Sequence, residues 1–96
     1  MIKEYLAIVG ALAETEPIQN DRIIVEREEF KYLLERYAYT TFAQKTKVYK
    51  ALNFIIHDDN NYTVPYKENN KTVRKVIINY KTYQTVKGFF ETELNL

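Results

Sequence analysis

Thr41–Tyr80 reads TFAQKTKVYKALNFIIHDDNNYTVPYKENNKTVRKVIINY, and its periodicity changes along the way. Thr41 with Gln44 three residues later has the form of a capping box, in which each side chain satisfies the other residue's backbone N–H. A helix is therefore expected over 41–52. Asn53 follows it, one of the few non-glycine residues that accepts the left-handed position past a helix end. Phe54-Ile-Ile56 then carries the chain away in extended form. Tyr62, Val64 and Tyr66 alternate in a predicted strand over 61–66. In a second strand, 72–79, Val76 and Ile78 share one face and Val73 and Ile77 the other. Lys67-Glu-Asn-Asn-Lys71 between them is a polar turn. Pro65 cannot donate to a ladder, so its strand belongs at the sheet edge. That leaves 72–79 central, free to pair on its far side with Ile23–Val25.

Working outward, Arg22-Ile-Ile-Val25 is a β-branched run and reads as a short strand over 22–25. From 26 to 37 the period becomes helical, with Phe30, Leu33, Leu34 and Tyr37 on one face and Glu26, Glu28 and Glu29 in the first turn, where they suit the helix dipole. Ala38-Tyr39-Thr40 is a short connection, so helices 26–37 and 41–52 form a candidate helix-turn-helix. Ile2, Tyr5, Leu6, Val9, Leu12 and Ala13 place a helix over 2–14, ended near Pro17. Asn79 caps a last helix over 80–93, with Tyr83, Val86, Phe89 and Phe90 as its apolar face. The expected fold is α+β, one domain over 1–96, in the order α-β-α-α-β-β-α with a small antiparallel sheet.

Composition narrows the function classes. Apolar residues are 46% and charged residues 28% of the 96, ordinary for a globular domain of this size. The chain has no cysteine, no serine and one histidine, His57. Serine–histidine and cysteine–histidine nucleophile pairs, disulfides, thiolate metal sites and multi-histidine cages cannot be assembled from it. The absence of cysteine also favours an intracellular, cytoplasmic setting. Leu6–Ala13 is apolar, but Glu4 and its short length fit an amphipathic helix better than a secretory leader, and no stretch approaches the ~18 apolar residues of a membrane span. The net charge of +1 is unevenly spread. Residues 1–38 hold five Lys/Arg against eight Asp/Glu, and 39–96 hold nine against five, marking the second part as the better anion-binding surface.

The element order, the short first strand, and the phrase Lys47-Val-Tyr-Lys-Ala-Leu-Asn-Phe-Ile55 resemble the winged helix-turn-helix family. There a Leu-Gly-Phe-Ile-like ending leads from the recognition helix into the wing, and Asn53 stands here for the usual glycine. The resemblance covers Arg22 to Tyr80 well and the flanking helices loosely. More narrowly, Tyr62-Thr-Val, Arg74-Lys-Val-Ile-Ile and Lys81-Thr-Tyr resemble small winged-helix proteins of phage and mobile-element replication modules that accompany a polymerase, primase or helicase. The resemblance implies a recognition helix at 41–52, a wing at 61–79 and DNA as partner.

On a helical wheel Phe42, Val48, Tyr49 and Leu52 face inward, while Ala43, Thr46, Lys47 and Lys50 share the opposite face. Small residues for close approach and Lys/Thr for phosphates and base edges suit a major groove. Lys45 falls among the apolar positions, where snorkelling out from the first turn is expected. In the wing, Lys67, Lys71, Arg74 and Lys75 cluster beside Asn69 and Asn70 at the tip, placed to contact phosphates. The bland reading of such lysines is protection of a sheet edge. Tyr62, Tyr66, Tyr80 and Tyr83 offer faces for stacking unpaired bases, or else are half-buried core residues. His57-Asp-Asp-Asn-Asn61 is a candidate ion site, but adjacent residues on an extended chain diverge, and a polar turn is the simpler reading. No glycine-rich phosphate loop is present.

The expected function is a non-enzymatic DNA-binding accessory factor in mobile-element or phage DNA replication that also binds a replication enzyme, with no cofactor and no membrane. Strandedness of the DNA stays open. So do two alternatives: a homodimeric transcriptional regulator, and a protein–protein interaction module or phage-encoded inhibitor that binds no DNA.

Overall fold

The computed structural model describes residues 2–37 and 40–94. Its elements are α1 (Ile2–Thr15), β1 (Arg22–Glu26), α2 (Arg27–Glu35), α3 (Phe42–Ala51), β2 (Ile55–Ile56), β3 (Val64–Glu68), β4 (Lys71–Asn79) and α4 (Tyr80–Leu94). The described residues form an α+β fold, with four helices and a small antiparallel sheet.

β4 is the central strand. β1 lies along one side in the register Ile23↔Ile78 and Val25↔Val76. Along the other side run first β2, with Ile55 opposite Ile78, and then β3, with Val64 opposite Lys75. The expected pairing of 72–79 with 23–25 is therefore present, and Pro65 sits in a strand that, among the described residues, pairs with β4 alone. One extra element, the two-residue β2, appears where the sequence suggested a plain extended link.

Ile23, Val25, Ile55, Val76 and Ile78 pack with Tyr5, Ile8, Val9 and Leu12 of α1, Phe30 and Leu34 of α2, Tyr49 of α3 and Tyr83 of α4. Aromatic rings make the centre. Tyr5 stacks on Phe54 at 3.7 Å between centroids and meets Tyr49 and Tyr83 edge-on. The Tyr5 and Tyr49 hydroxyls have no hydrogen-bond partner among the described residues, and burial pushes both phenols above their ordinary 10.0. A buried hydroxyl without a partner costs about 1–3 kcal/mol. Tyr49→Phe is therefore expected to leave the thermal midpoint unchanged or raise it; a clear drop in a melting experiment would contradict this account.

The local signals formed as the sequence indicated. Thr41 Oγ1 accepts from the Gln44 N–H, and Gln44 Oε1 accepts from the Thr41 N–H, both at 3.2 Å. At the other end of α3, Asn53 takes φ 57°. The Asn53 N–H donates to Lys50 O, and the Phe54 N–H donates to Tyr49 O, the paired closure of a Schellman motif. Asn79 Oδ1 accepts from the Thr82 N–H and caps α4.

Several boundaries moved. Glu26, expected in the first turn of a helix, is instead the last residue of β1, opposite Lys75, and α2 starts at Arg27. α2 ends at Glu35 and not at Tyr37; of the predicted connection, Ala38 and Tyr39 lie outside the described residues. β3 starts at Val64 and not at Asn61, because Asn61 belongs to a turn around Asp58. The five-residue turn shrinks to Asn69-Asn70, with φ 52° and 65°, flanked by the Glu68↔Lys71 pair. Two consecutive positive φ angles make a type I′ turn, whose twist matches that of the strands. Branched side chains pay about 1–2 kcal/mol in that region. Asn70→Val should lower stability by about that amount, whereas Asn70→Gly should not; chemical denaturation of the two variants checks it.

A second tight turn was not foreseen. Asn20 and Asp21 both take positive φ, and Gln19 and Arg22 exchange backbone hydrogen bonds of 3.0 Å. The turn covers the start of the outer edge of β1, which pairs otherwise only with β4.

Candidate nucleic-acid interface

The outward face of α3 is narrower than its sequence suggests. Ala43 and Lys47 are exposed and Lys50 half-buried. Thr46 is buried, its hydroxyl donating to Ala43 O at 3.0 Å, so it does not belong to an outward face. Leu52, expected inside, is 50% exposed, since the Schellman closure turns Phe54 inward in its place. Gln44 joins the exposed face with Ala51.

Lys45 corrects the sequence expectation most sharply. It does not snorkel outward; it is 1% exposed. Its ammonium donates to Glu4 Oε1 at 2.9 Å, to Leu34 O at 2.6 Å and to Tyr37 O at 2.5 Å. Three acceptors match the three protons of an ammonium. Leu34 and Tyr37 sit at and just past the end of α2, where a cation is favoured; the Leu34 carbonyl also accepts from the Tyr37 N–H at 3.4 Å. Lys45 thus joins α1, α2 and α3 at one point.

The hairpin is built around two further cations that proved to be occupied. Lys75 is buried and donates to Glu26 of β1 and, at 2.8 Å, to Glu68 of β3. Its ammonium lies 5.7 Å from the Tyr66 ring centroid. The Glu26 and then the Glu68 hydrogen bond raise its pKa well above the ordinary 10.5. Arg74 donates through Nε to Thr63 Oγ1 at 2.8 Å, and through Nη2 to Thr63 O at 2.7 Å and Asp58 Oδ2 at 3.1 Å.

Asp58 in turn accepts from the Asn60 and Asn61 N–H groups. Those backbone bonds, Asn60 first, together with Arg74 hold its carboxyl below the usual 3.8. His57–Asn61 is thus a polar turn braced to the hairpin. Because the folded carboxyl titrates below the unfolded one, its contribution to stability is complete above about pH 4 and disappears as pH falls through the folded value. Asp58→Asn is expected to flatten the acid side of the stability–pH curve below pH 4; an unchanged curve in acid titration would count against the brace.

The candidate contact residues therefore divide. Lys47, Lys50, Lys67 and Lys71 form no ion pair among the described residues, while Arg74 and Lys75 are neutralised within the fold. Asn69 and Asn70 are exposed at the hairpin tip. Of the tyrosines proposed for stacking, Tyr62 packs on Phe30 and Phe42, Tyr83 is buried, and Tyr80 stacks on Tyr83. Tyr66 is half-buried beneath Lys75. Tyr62, Tyr80 and Tyr83 thus serve the core, and Tyr66 packs on the sheet outside it. Among the described residues, no helix is long and apolar enough to cross a membrane.

No protein-family model matches the chain, and no curated protein matches its sequence.

Proposed function

We propose that the chain is a non-enzymatic winged-helix protein that binds DNA through the phosphate backbone, with α3 in or beside the major groove and the β3–β4 hairpin as the wing. The observation that carries this is that four lysines of the candidate surface, Lys47, Lys50, Lys67 and Lys71, form no ion pair among the described residues. Two stand on α3 and two on the β3–β4 hairpin, Lys71 directly after the type I′ turn and Lys67 one pair further from it, opposite Thr72. The strand order supports a winged helix, since the strand before the two helices pairs with the last hairpin strand. Lysines without arginine give point-charge contacts to phosphate and little bidentate base reading. The narrower role, an accessory factor of a phage or mobile-element replication enzyme, rests on the sequence resemblance alone.

A fluorescence-anisotropy titration of duplex and single-stranded oligonucleotides at two salt concentrations tests the proposal. Binding is expected at low salt and should fall in a Lys47→Glu/Lys71→Glu variant. A folded sample that binds neither form at low salt would overturn it. The neutralisation of Arg74 and Lys75 favours a second reading, in which the same domain docks a protein partner and binds no DNA.

A further inference from the structure

The surface of α2 carries a pattern that the proposed DNA contacts do not use. Glu28, Tyr32 and Arg36 follow one another at i, i+4 and i+8, so they form one stripe along the helix. Arg36 is the C-cap residue and keeps helical angles, φ −64° and ψ −21°. All three are exposed, and Tyr32 is 65% exposed. The Arg36 guanidinium lies 6.0 Å from the Tyr32 ring centroid, too exposed to be a strong cation–π pair. Arg27, Glu28, Lys31, Tyr32 and Glu35 line a surface groove together with Tyr62.

The stripe is its own complement. Reversed about Tyr32, the order acid, tyrosine, base becomes base, tyrosine, acid. An antiparallel pair of α2 helices related by a two-fold axis through Tyr32 sets Glu28 of each copy against Arg36 of the other, twice, with the two tyrosines in contact between them. In the flanking row Lys31 falls near Glu35 of the second copy. A two-fold contact requires one patch to complement itself, and tyrosine and arginine are enriched in protein interfaces. We infer that this face of α2 is a self-association surface whose occupant is a second copy of the same chain. The inference stands apart from DNA binding.

The contact is small, well below the ~1,200 Å² of stable interfaces, so the dimer is weak, with a Kd of about 10 µM to 1 mM. Sedimentation velocity of the full chain at low ionic strength across that range should show a concentration-dependent monomer–dimer equilibrium. Glu28→Arg and Arg36→Glu, which each set like charges face to face, should each raise Kd about tenfold or more. The double variant E28R/R36E should return Kd towards the original value, which a merely structural effect would not do. Tyr32→Ala, at an exposed position where folding stability changes little, should weaken the dimer as well. A wild-type chain that stays monomeric throughout overturns the inference and leaves the stripe to a different partner. Single reversals without effect, or a double reversal that does not restore association in samples folded by circular dichroism, also overturn it.

Discussion

Replacing Lys45 with methionine is expected to lower the unfolding free energy by about 3–5 kcal/mol. The methionine fills most of the space left by the lysine stem, so the loss reports the charge and not a cavity. Glu4, itself only 6% exposed, keeps a carboxylate without its cation. The Leu34 and Tyr37 carbonyls lose a charged donor at the end of α2. A domain of this length holds about 5–14 kcal/mol in total, so the variant sits near the limit of folding. With an m-value of about 1.5 kcal/mol per molar urea, the midpoint should move by roughly 2–3 M. Removing both charges, as Glu4→Leu with Lys45→Met, should recover much of the loss, because an apolar pair leaves no buried ion unpaired. A single variant within about 1 kcal/mol of the wild type would show that the three-helix junction contributes little.

The second large effect concerns salt. If Lys47, Lys50, Lys67 and Lys71 are the cations that meet phosphate, duplex affinity should fall with a log–log slope of about −3.6. Between 50 and 200 mM salt that is a loss on the order of 10²-fold. Six basic candidates taken from the sequence alone, with Arg74 and Lys75 included, would give a slope of about −5.4. The slope thus tells whether the internal ion pairs survive in the complex. A value near −5 would mean that Arg74 and Lys75 leave Asp58, Glu26 and Glu68 for phosphate. Lys67→Ala and Lys71→Ala should each reduce the slope by about 0.9.

These two expectations rest on different kinds of information. Local sequence was enough wherever partners lie a few residues apart. Thr41 and Gln44 cap α3, Asn53 closes it and Asn79 opens α4, each through bonds spanning only a few residues. Pro65 fixed the hairpin edge because a missing N–H is a property of one residue. The alternation of Val76 and Ile78 then made β4 the buried strand, and its second partner could only be another β-branched run.

The charged residues followed no such rule. Arg74 and Lys75 look alike on paper to Lys67 and Lys71, and the apolar position of Lys45 did not reveal its partner. What separates them is Glu4, 41 residues from Lys45, Glu26, 49 residues from Lys75, and Asp58, 16 residues from Arg74. An ion pair depends on distance in space and on desolvation, neither of which has a sequence period. Thr46 and Leu52 were exchanged for a related reason: a ten-residue helix with a weak apolar stripe is oriented by its neighbours, here by the Lys45 junction at one end and by Phe54 folding inward at the other. Sequence by itself determined the helix, the turn positions and the central strand of Thr41–Tyr80, because caps, turns and ladder donors are local. The tertiary structure decided which cations are held in internal ion pairs, because only folding brings each carboxylate to its lysine or arginine.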